Sequence, residues 1–351
     1  MDIFDTNELV QVVPNLLLSQ NWLLDNFFPN IVTADTEYVS IDIDLGKRRM
    51  APFVSPLVEG KLVEQRRYQT NTFKPAYIKD KRAPDLRKPV RRQIGERIGG
   101  ELTGAERMMA NLMFEMADQV DMLNRRLEWM AAQALLTGTV TISGDGYETA
   151  VVDFQRDPSL TVALTGTALW DSGSTAAAPA YNIDQWANDV LLQSGAVVTD
   201  LVFSPTAFRY FKLDPEVRDA IVLDTNRFNP NGQTASVNLG VQAKQGAIYK
   251  GNWGQFDLWI YNDWYVDENN VQRRMIPDGT VIMASKELLG TRAFGQILDP
   301  DFNYGPLPYA PKSWVEKDPA QRLILMQSSP IVIPSRANAA LSATVCSPGV
   351  L

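Results

Sequence analysis

The chain has 351 residues, 45% apolar and 21% charged, the composition of a folded globular protein with material for a sizeable core and, at this length, for two domains. Histidine is absent and cysteine occurs once, at Cys346, which excludes a Ser-His-Asp triad, a Cys-His pair, an imidazole metal site, an intrachain disulfide and a Cys-rich zinc site. The 41 acidic and 33 basic side chains give a net charge of −8, and no run approaches the roughly 18 uncharged apolar residues of a membrane span, so no membrane partner is expected.

Residues 1–45 hold eight acidic side chains and no Lys or Arg; the first cation is Lys47, so a charged secretory leader is not expected. "TNELVQVV" at 6–13 predicts a short helix capped by Thr6 or Asn7 and stopped by Pro14. "NWLLDNFFPN" at 21–30 carries Trp22, Leu23, Leu24, Phe27 and Phe28 on an arm too short for its own core, so this cluster must bury against the same subunit or the next. In "EYVSIDIDL" at 37–45, Val39, Ile41, Ile43 and Leu45 alternate with Ser40, Asp42 and Asp44, a strand with one acidic face.

Residues 46–98 hold fifteen basic and five acidic side chains, a net +10 inside an acidic chain. Residues 47–58 and 61–78 predict two extended arms joined at Glu59-Gly60, the second polar on both faces. Arms of this length reach roughly 40–50 Å, against a radius of gyration of about 20 Å for a compact chain, so the hairpin is expected to project and to need a partner for its edges. Its charge has three explanations: a protein partner of opposite sign, including another copy of this chain; phosphate contacts, making 61–97 a nucleic-acid-binding segment; or a solvated surface. The overall acidity, the missing RRM, KH or zinc-finger pattern, and the acidic complement in 1–45 favour the first.

Residues 103–137 predict a helix about 50 Å long, opened by a Thr103/Glu106 capping box and closed by Gly138. Met109, Leu112, Met113, Met116, Val120, Leu123, Leu127, Met130 and Ala134 form one stripe, while Glu115, Asp118 and Glu128 fall on other faces. The stripe suits a coiled coil or a helix lying along a sheet. Thr139–Ser143 and Tyr147–Phe154 predict a hairpin about a Gly-Asp-Gly turn, and 155–181 a connection. A capped helix follows at 182–195 with Ile183, Trp186, Val190 and Leu191 on one face, then a strand at 196–203. Ser204-Pro205 and Asp214-Pro215 open two further helices, and 226–246 reads as a loop. Strands around 247–266, a turn at 267–270 and a strand in 276–285 complete an α+β region, 182–290, inserted in the chain. The apolar run Leu323–Ile333 predicts a core strand returning to the long-helix region.

The carboxylate pairs Asp299/Asp301 and Asp263/Asp267 are the candidates for general acid–base work, but each fits a turn or surface equally well, and a hydrolase has no motif behind it. "DENN" at 267–270 lacks the alternating ligands of an EF-hand loop, and "GTRAFG" at 290–295 matches no nucleotide-binding fingerprint. No catalytic site, metal or cofactor is expected.

"VSPLVEG" at 54–60, "FKPAYIKDK" at 73–81, "IPDGTVIMAS" at 276–285 and above all "SWVEKDPAQRLILMQSSP" at 313–330 resemble the lambda-type major head proteins of tailed phages, the capsid protein E family, whose fold is named after phage Hong Kong 97. The resemblance implies an α+β capsid fold: an N-arm (1–45), a projecting E-loop (46–98), a peripheral domain (99–181 and 291–351) with the spine helix 103–137, and an axial domain (182–290). It implies a structural protein of the virion, made in the host cytoplasm, that assembles with itself into hexamers and pentamers of an icosahedral shell. The other implied partners are a decoration protein, a separate scaffolding protein, a portal, and packaged double-stranded DNA held without sequence-specific contacts. E-loop cations Lys61, Arg66, Arg67, Lys74, Lys79, Lys81, Arg82 and Arg87 are expected between subunits, facing N-arm residues Trp22, Phe27, Phe28, Asp42 and Asp44 and the spine-helix acids Glu115, Asp118 and Glu128. Val54, Pro56, Glu59 and Gly60 are expected in the region that meets a decoration protein.

Overall fold

The computed structural model describes residues 21–44, 50–57, 59–63, 68–84, 103–144, 146–218, 243–244, 246–317 and 320–347. The helix expected over 6–13 and the centre of the loop expected over 226–246 lie outside the described residues. Among the described residues helix α1 (Trp22–Phe27) comes first, then strands β1 (Asn30–Thr33), β2 (Val39–Asp44), β3 (Tyr68–Phe73) and β4 (Ile78–Arg82).

The longest element is α2, Gly104–Thr137. Reciprocal capping sets its start: the Thr103 hydroxyl accepts the Glu106 N–H while the Glu106 carboxylate accepts the Thr103 N–H. It stops at Gly138, whose φ of 69° is left-handed and where an added Cβ would meet the Cβ of Arg156 at 2.7 Å. Two different surfaces of the same chain cover its apolar stripe. Leu112, Met116, Val120 and Leu123 pack on Ile324 and Met326, whereas Leu127, Met130, Ala134 and Leu135 enter the main core. The stripe is therefore that of a helix lying along sheets, and Met109, counted in it, stands partly exposed.

The expected hairpin follows as β5 (Thr139–Gly144) and β6 (Tyr147–Asp153), then β7 (Thr161–Ala163). Helix α3 (Pro179–Ser194) begins earlier than expected because Pro179 takes its first position; Ile183, Trp186 and Val190 are buried, but Leu191 is partly exposed. Strand β8 (Asp200–Phe203) leads into α4 (Pro205–Phe211), capped by Ser204, whose hydroxyl accepts the Ala207 N–H at 3.3 Å. Strands β9 (Ala243–Lys244), β10 (Ala247–Trp253), β11 (Phe256–Tyr261), β12 (Trp264–Val266), β13 (Gln272–Arg274) and β14 (Thr280–Ala284) follow. The chain closes with β15 (Gly290–Phe294), β16 (Ala310–Lys317), β17 (Ala320–Ser328), β18 (Pro330–Pro334) and β19 (Ala340–Thr344).

Seven strands make the largest sheet, in the order β7-β19-β14-β8-β11-β10-β9. It separates two cores. Val281 and Met283 of β14, with Leu201 and Phe203 of β8, face Ile183 and Trp186 of α3; Ile282, Ala284 and Val202 face the core shared with α1 and α2. Strand β19 sits between β7 and β14, so residues 340–344, expected in the peripheral region, belong to this sheet, and region 182–290 does not close on itself. The run Leu323–Ile333 is likewise two strands rather than one. β17 pairs with β16 and β4, and β18 pairs with β15. Pro330 has no N–H to continue the first ladder, so the chain changes sheets at Ser329. Cys346 is fully buried, and burial pushes its thiol up to about 12.

Candidate intersubunit surfaces

A hairpin forms in this part of the chain, but its strands are β2 and β3 rather than 47–58 and 61–78. Val39 pairs with Phe73 at the rooted end, where both are buried in the main core; Asp44 pairs with Tyr68 at the outer end, about 17 Å further on at strand rise. Beyond it, 50–57 and 59–63 form no strand, and Met50, Phe53, Leu57 and Leu62 are each at least 93% exposed. Lys61, Val54, Pro56, Glu59 and Gly60 stand on this exposed loop. Past Phe73 the expected second arm turns back: Pro75 and Ala76 are buried, the Ala76 N–H donates to the Pro330 carbonyl at 3.1 Å, and β4 joins β17.

The cations at this root serve the chain itself. Arg82 donates to Asp80 (3.0 Å), Glu115 (3.2 Å) and Asp118 (2.5 Å), so the two spine-helix acids expected to face a neighbour hold a cation of their own subunit. Lys74 pairs with Glu37 at 2.9 Å, and Lys81 lies over the Trp314 ring at 5.4 Å. Lys79 rests 5.1 Å from the Tyr77 ring centre and has no carboxylate partner among the described residues. These cations do not form the free stripe that phosphate binding by 61–97 requires. Arg66, Arg67 and Arg87 lie outside the described residues, and Asp42 and Asp44 are placed by strand register alone, opposite Thr70 and Tyr68.

Trp22, Phe27 and Phe28, expected to reach a neighbouring subunit, are buried in this chain's own core, only 5%, 1% and 0% exposed. Trp22 packs against Trp259, ring centres 4.8 Å apart, and Phe28 lies directly over Gly290. Glu128, expected on the acidic outer face, is 1% exposed. It accepts the N–H groups of Leu23 (2.9 Å) and Leu24 (3.0 Å) and the hydroxyl of Tyr261 (2.8 Å). The apolar demand of residues 22–28 is thus met within the subunit, and Glu128 accepts the backbone N–H groups that their burial would otherwise leave unpaired.

A groove of about 1000 Å³ opens between residues 74–79 and α2. Pro75, Met130 and Ile142 line its apolar part, with Lys79, Trp129 and Leu298 also in its wall. Arg126 lies over the Trp129 ring at 5.4 Å and reaches Glu268 at 3.3 Å. Sequence reading passed over this groove; the available signal was Trp129, a large aromatic one position off the helix's apolar stripe.

The carboxylate pairs are occupied. Lys312 reaches Asp299 (3.1 Å) and Asp301 (2.5 Å), and Gln327 donates to Asp299 at 2.8 Å. Burial alone would raise the Asp299 carboxyl, but the donors Gln327, Asp301 N–H and Lys312 together hold it below the ordinary range. Asp267 accepts from Arg273 at 2.6 Å and from the Asn269 and Val271 N–H groups, which closes the 267–270 turn. Among the described residues, no group of three or more Cys, Asp or Glu side chains is arranged to hold a metal ion.

The family model for phage major capsid protein E matches residues 5–345. The chain belongs to that family. It is 28% identical over 339 residues to the major capsid protein of Escherichia phage N15 and 27% identical to that of Escherichia phage lambda, covering 95% of this chain and 96% of each relative. A crystal structure of a prophage capsid protein from E. coli CFT073 superposes with a TM-score of 0.72 at 21% identity, covering 97% of this chain and 99% of that one. The capsid of Ralstonia phage GP4 does so at 0.53 and 12%, covering 93% and 92%. The fold is the α+β phage capsid fold of the Hong Kong 97 class. The chain is a major capsid protein, a structural component of a phage virion that associates with itself. No helix among the described residues is long and apolar enough to cross a membrane.

Proposed function

We propose that copies of this capsid protein close into hexamers and pentamers that tile an icosahedral shell around packaged double-stranded DNA. The observation that carries this reading is the loop 50–63, which holds four large apolar side chains out in water at the end of a rooted stalk. A soluble protein leaves such a surface bare only when a partner covers it. The role is structural, without catalysis. Residues 99–351, net −10 in sequence, give the remainder of the chain a charge that repels DNA and leaves packaging unhindered. The N-arm, E-loop, peripheral and axial divisions serve this assembly, and the outward side of the loop, with Val54, Pro56 and Gly60, offers a contact for a decoration protein. A separate scaffolding protein and a portal complete the partner set.

Electron microscopy of the purified full-length chain tests the reading. Rings or closed shells are expected. A monomer at every concentration that retards DNA in a gel would overturn it in favour of a nucleic-acid-binding protein.

A further inference from the structure

We propose that Glu128, Tyr261 and Asp263 form a proton-binding site that latches the start of α1: the bound proton holds residues 21–24 on the subunit, and its loss lets them swing away while the rest of the chain stays folded.

The site is one proton short. The Tyr261 hydroxyl lies within hydrogen-bond distance of two carboxylates, Glu128 Oε1 at 2.8 Å and Asp263 Oδ2 at 3.5 Å. It has one hydrogen to give, and burial and the two acids push its own titration well up, so it keeps that hydrogen. With both acids ionised, one of them faces the lone pairs of the hydroxyl oxygen. A proton on Glu128 resolves the conflict: Glu128 donates to the Tyr261 oxygen, and Tyr261 donates to Asp263. Both Glu128 oxygens keep a lone pair for the Leu23 and Leu24 N–H groups, at 2.9 and 3.0 Å.

The cations of the surrounding elements are engaged elsewhere. On β15, Arg292 holds Asp25 of α1 at 2.7 Å and the Phe28 carbonyl at 2.7 Å. On α2, Arg125 holds Asp121 and Arg126 holds Glu268. From β11 and the residues after it the facing groups are Tyr261 and Asp263, so among the described residues no cation balances an ionised, buried Glu128. The start of α1 is the part that can yield. The helix has six residues and no side-chain cap at Asn21, whose amide adds a bond to the Asn124 carbonyl at 2.9 Å. Its far end is pinned whatever the state of the proton, by Arg292 and by the pairing of β1 with β15. Trp22, Leu23 and Leu24 are buried, so the opened form is a minor state, and the proton sets how minor.

The pH window follows. Burial raises the Glu128 carboxyl from 4.5 to about 7 in the closed form, and hydration returns it to its ordinary value in the opened one. Opening therefore rises about tenfold per pH unit between those values and levels off above them.

Amide hydrogen exchange on the full-length monomer, corrected for the chemical exchange rate and repeated in low urea, tests this. Leu23 and Leu24 are expected to lose roughly a hundredfold in protection from pH 5 to about 7 and little beyond, with almost no urea dependence. Ile282 in β14 should keep the steep urea dependence of global unfolding. Glu128→Gln, which carries a permanent donor, should hold the protection of Leu23 and Leu24 constant across this range. Asp263→Asn keeps the acceptor for the Trp264 N–H and leaves the Tyr261 hydrogen to Glu128, so the fall should move to lower pH. Infrared difference spectra should show a protonated carboxyl below about pH 7 that Glu128→Gln lacks. Protection independent of pH in the wild type, or an equal fall in Glu128→Gln, would overturn the latch. So would exchange at Leu23 and Leu24 with the full urea dependence of Ile282. If Glu128→Gln does not fold, an unshifted fall in Asp263→Asn overturns it instead.

Discussion

Glu128 on α2 accepts the hydroxyl of Tyr261 on β11 at 2.8 Å, with both side chains buried. The same carboxylate accepts the Leu23 and Leu24 N–H groups at the start of α1. Helix α1 has no side-chain cap of its own at Asn21, so Glu128 supplies acceptors for donors that every helix start leaves orphaned. One side chain thereby fixes the arm, the spine helix and the seven-stranded sheet relative to one another.

Glu128→Ala strands two buried N–H groups and one hydroxyl and is expected to cost about 2–4 kcal/mol in denaturant unfolding of the monomer. Tyr261→Phe removes a single bond and is expected to cost about 1 kcal/mol. The pair made together should cost less than the sum, and amide exchange at Leu23 and Leu24 should rise in the first variant far more than in the second.

Acidity acts on the same carboxyl. Burial, the largest influence, raises it to about 7 from an ordinary 4.5, against the opposing pull of the Leu23 N–H, the Tyr261 hydroxyl and the Leu24 N–H; the nearby Asp263 adds to the rise. The folded state therefore holds a proton between those values that the unfolded state has lost. The contribution is fully present below pH 4.5 and disappears as pH rises through about 7, by on the order of 3 kcal/mol. Unfolding midpoints measured from pH 5 to 8 should fall in the wild type, and Glu128→Gln should flatten that slope.

What the sequence disclosed was local. Thr103, Glu106 and Gly138 mark both ends of α2 because capping chemistry is read from a few neighbouring residues. Ser204-Pro205 marks α4 for the same reason. What it hid was long-range pairing. Nothing in the alternation of 340–344 says that it lies between β7 and β14, and nothing in the charge of Glu115, Asp118 and Arg82 says that they meet within one chain. The charge segregation suggested a partner of opposite sign, and that partner is in part the same subunit. The apolar side chains of 50–57 and 59–63, by contrast, are left bare by the described part of the chain.

Gly290 carries a backbone constraint. A Cβ there would lie 2.3 Å from the Phe27 carbonyl oxygen and 2.3 Å from the Phe28 ring. Gly290→Ala is expected to push α1 and β1 off β15 and to cost more than about 2 kcal/mol, because a carbonyl cannot rotate away as a side-chain tip can. Limited proteolysis of the monomer should then cut between residues 22 and 28, most of which are buried in the folded chain.

Arg156 closes the far end of the spine helix. Its guanidinium donates to the carbonyls of Leu135 (2.6 Å) and Leu136 (2.5 Å) and to the Thr161 hydroxyl (2.6 Å), with no carboxylate partner among the described residues, and burial lowers it to about 10. The cation sits at the negative end of a 34-residue helix. Arg156→Met keeps much of the volume and removes the donors, with an expected cost of about 2–4 kcal/mol in thermal or denaturant unfolding. Arg156→Lys should recover only part of it, since one ammonium does not span the same acceptors.

Arg82 and Lys79 differ in what they hold within the chain: Arg82 ties β4 to the spine helix, and Lys79 lies over the Tyr77 ring. Arg82→Glu would put a fourth carboxylate beside Asp80, Glu115 and Asp118. It is expected to destabilise the isolated monomer by about 1–3 kcal/mol, measured at a concentration too low for assembly. Lys79→Glu breaks no ion pair within the described residues and should leave monomer stability within about 0.5 kcal/mol.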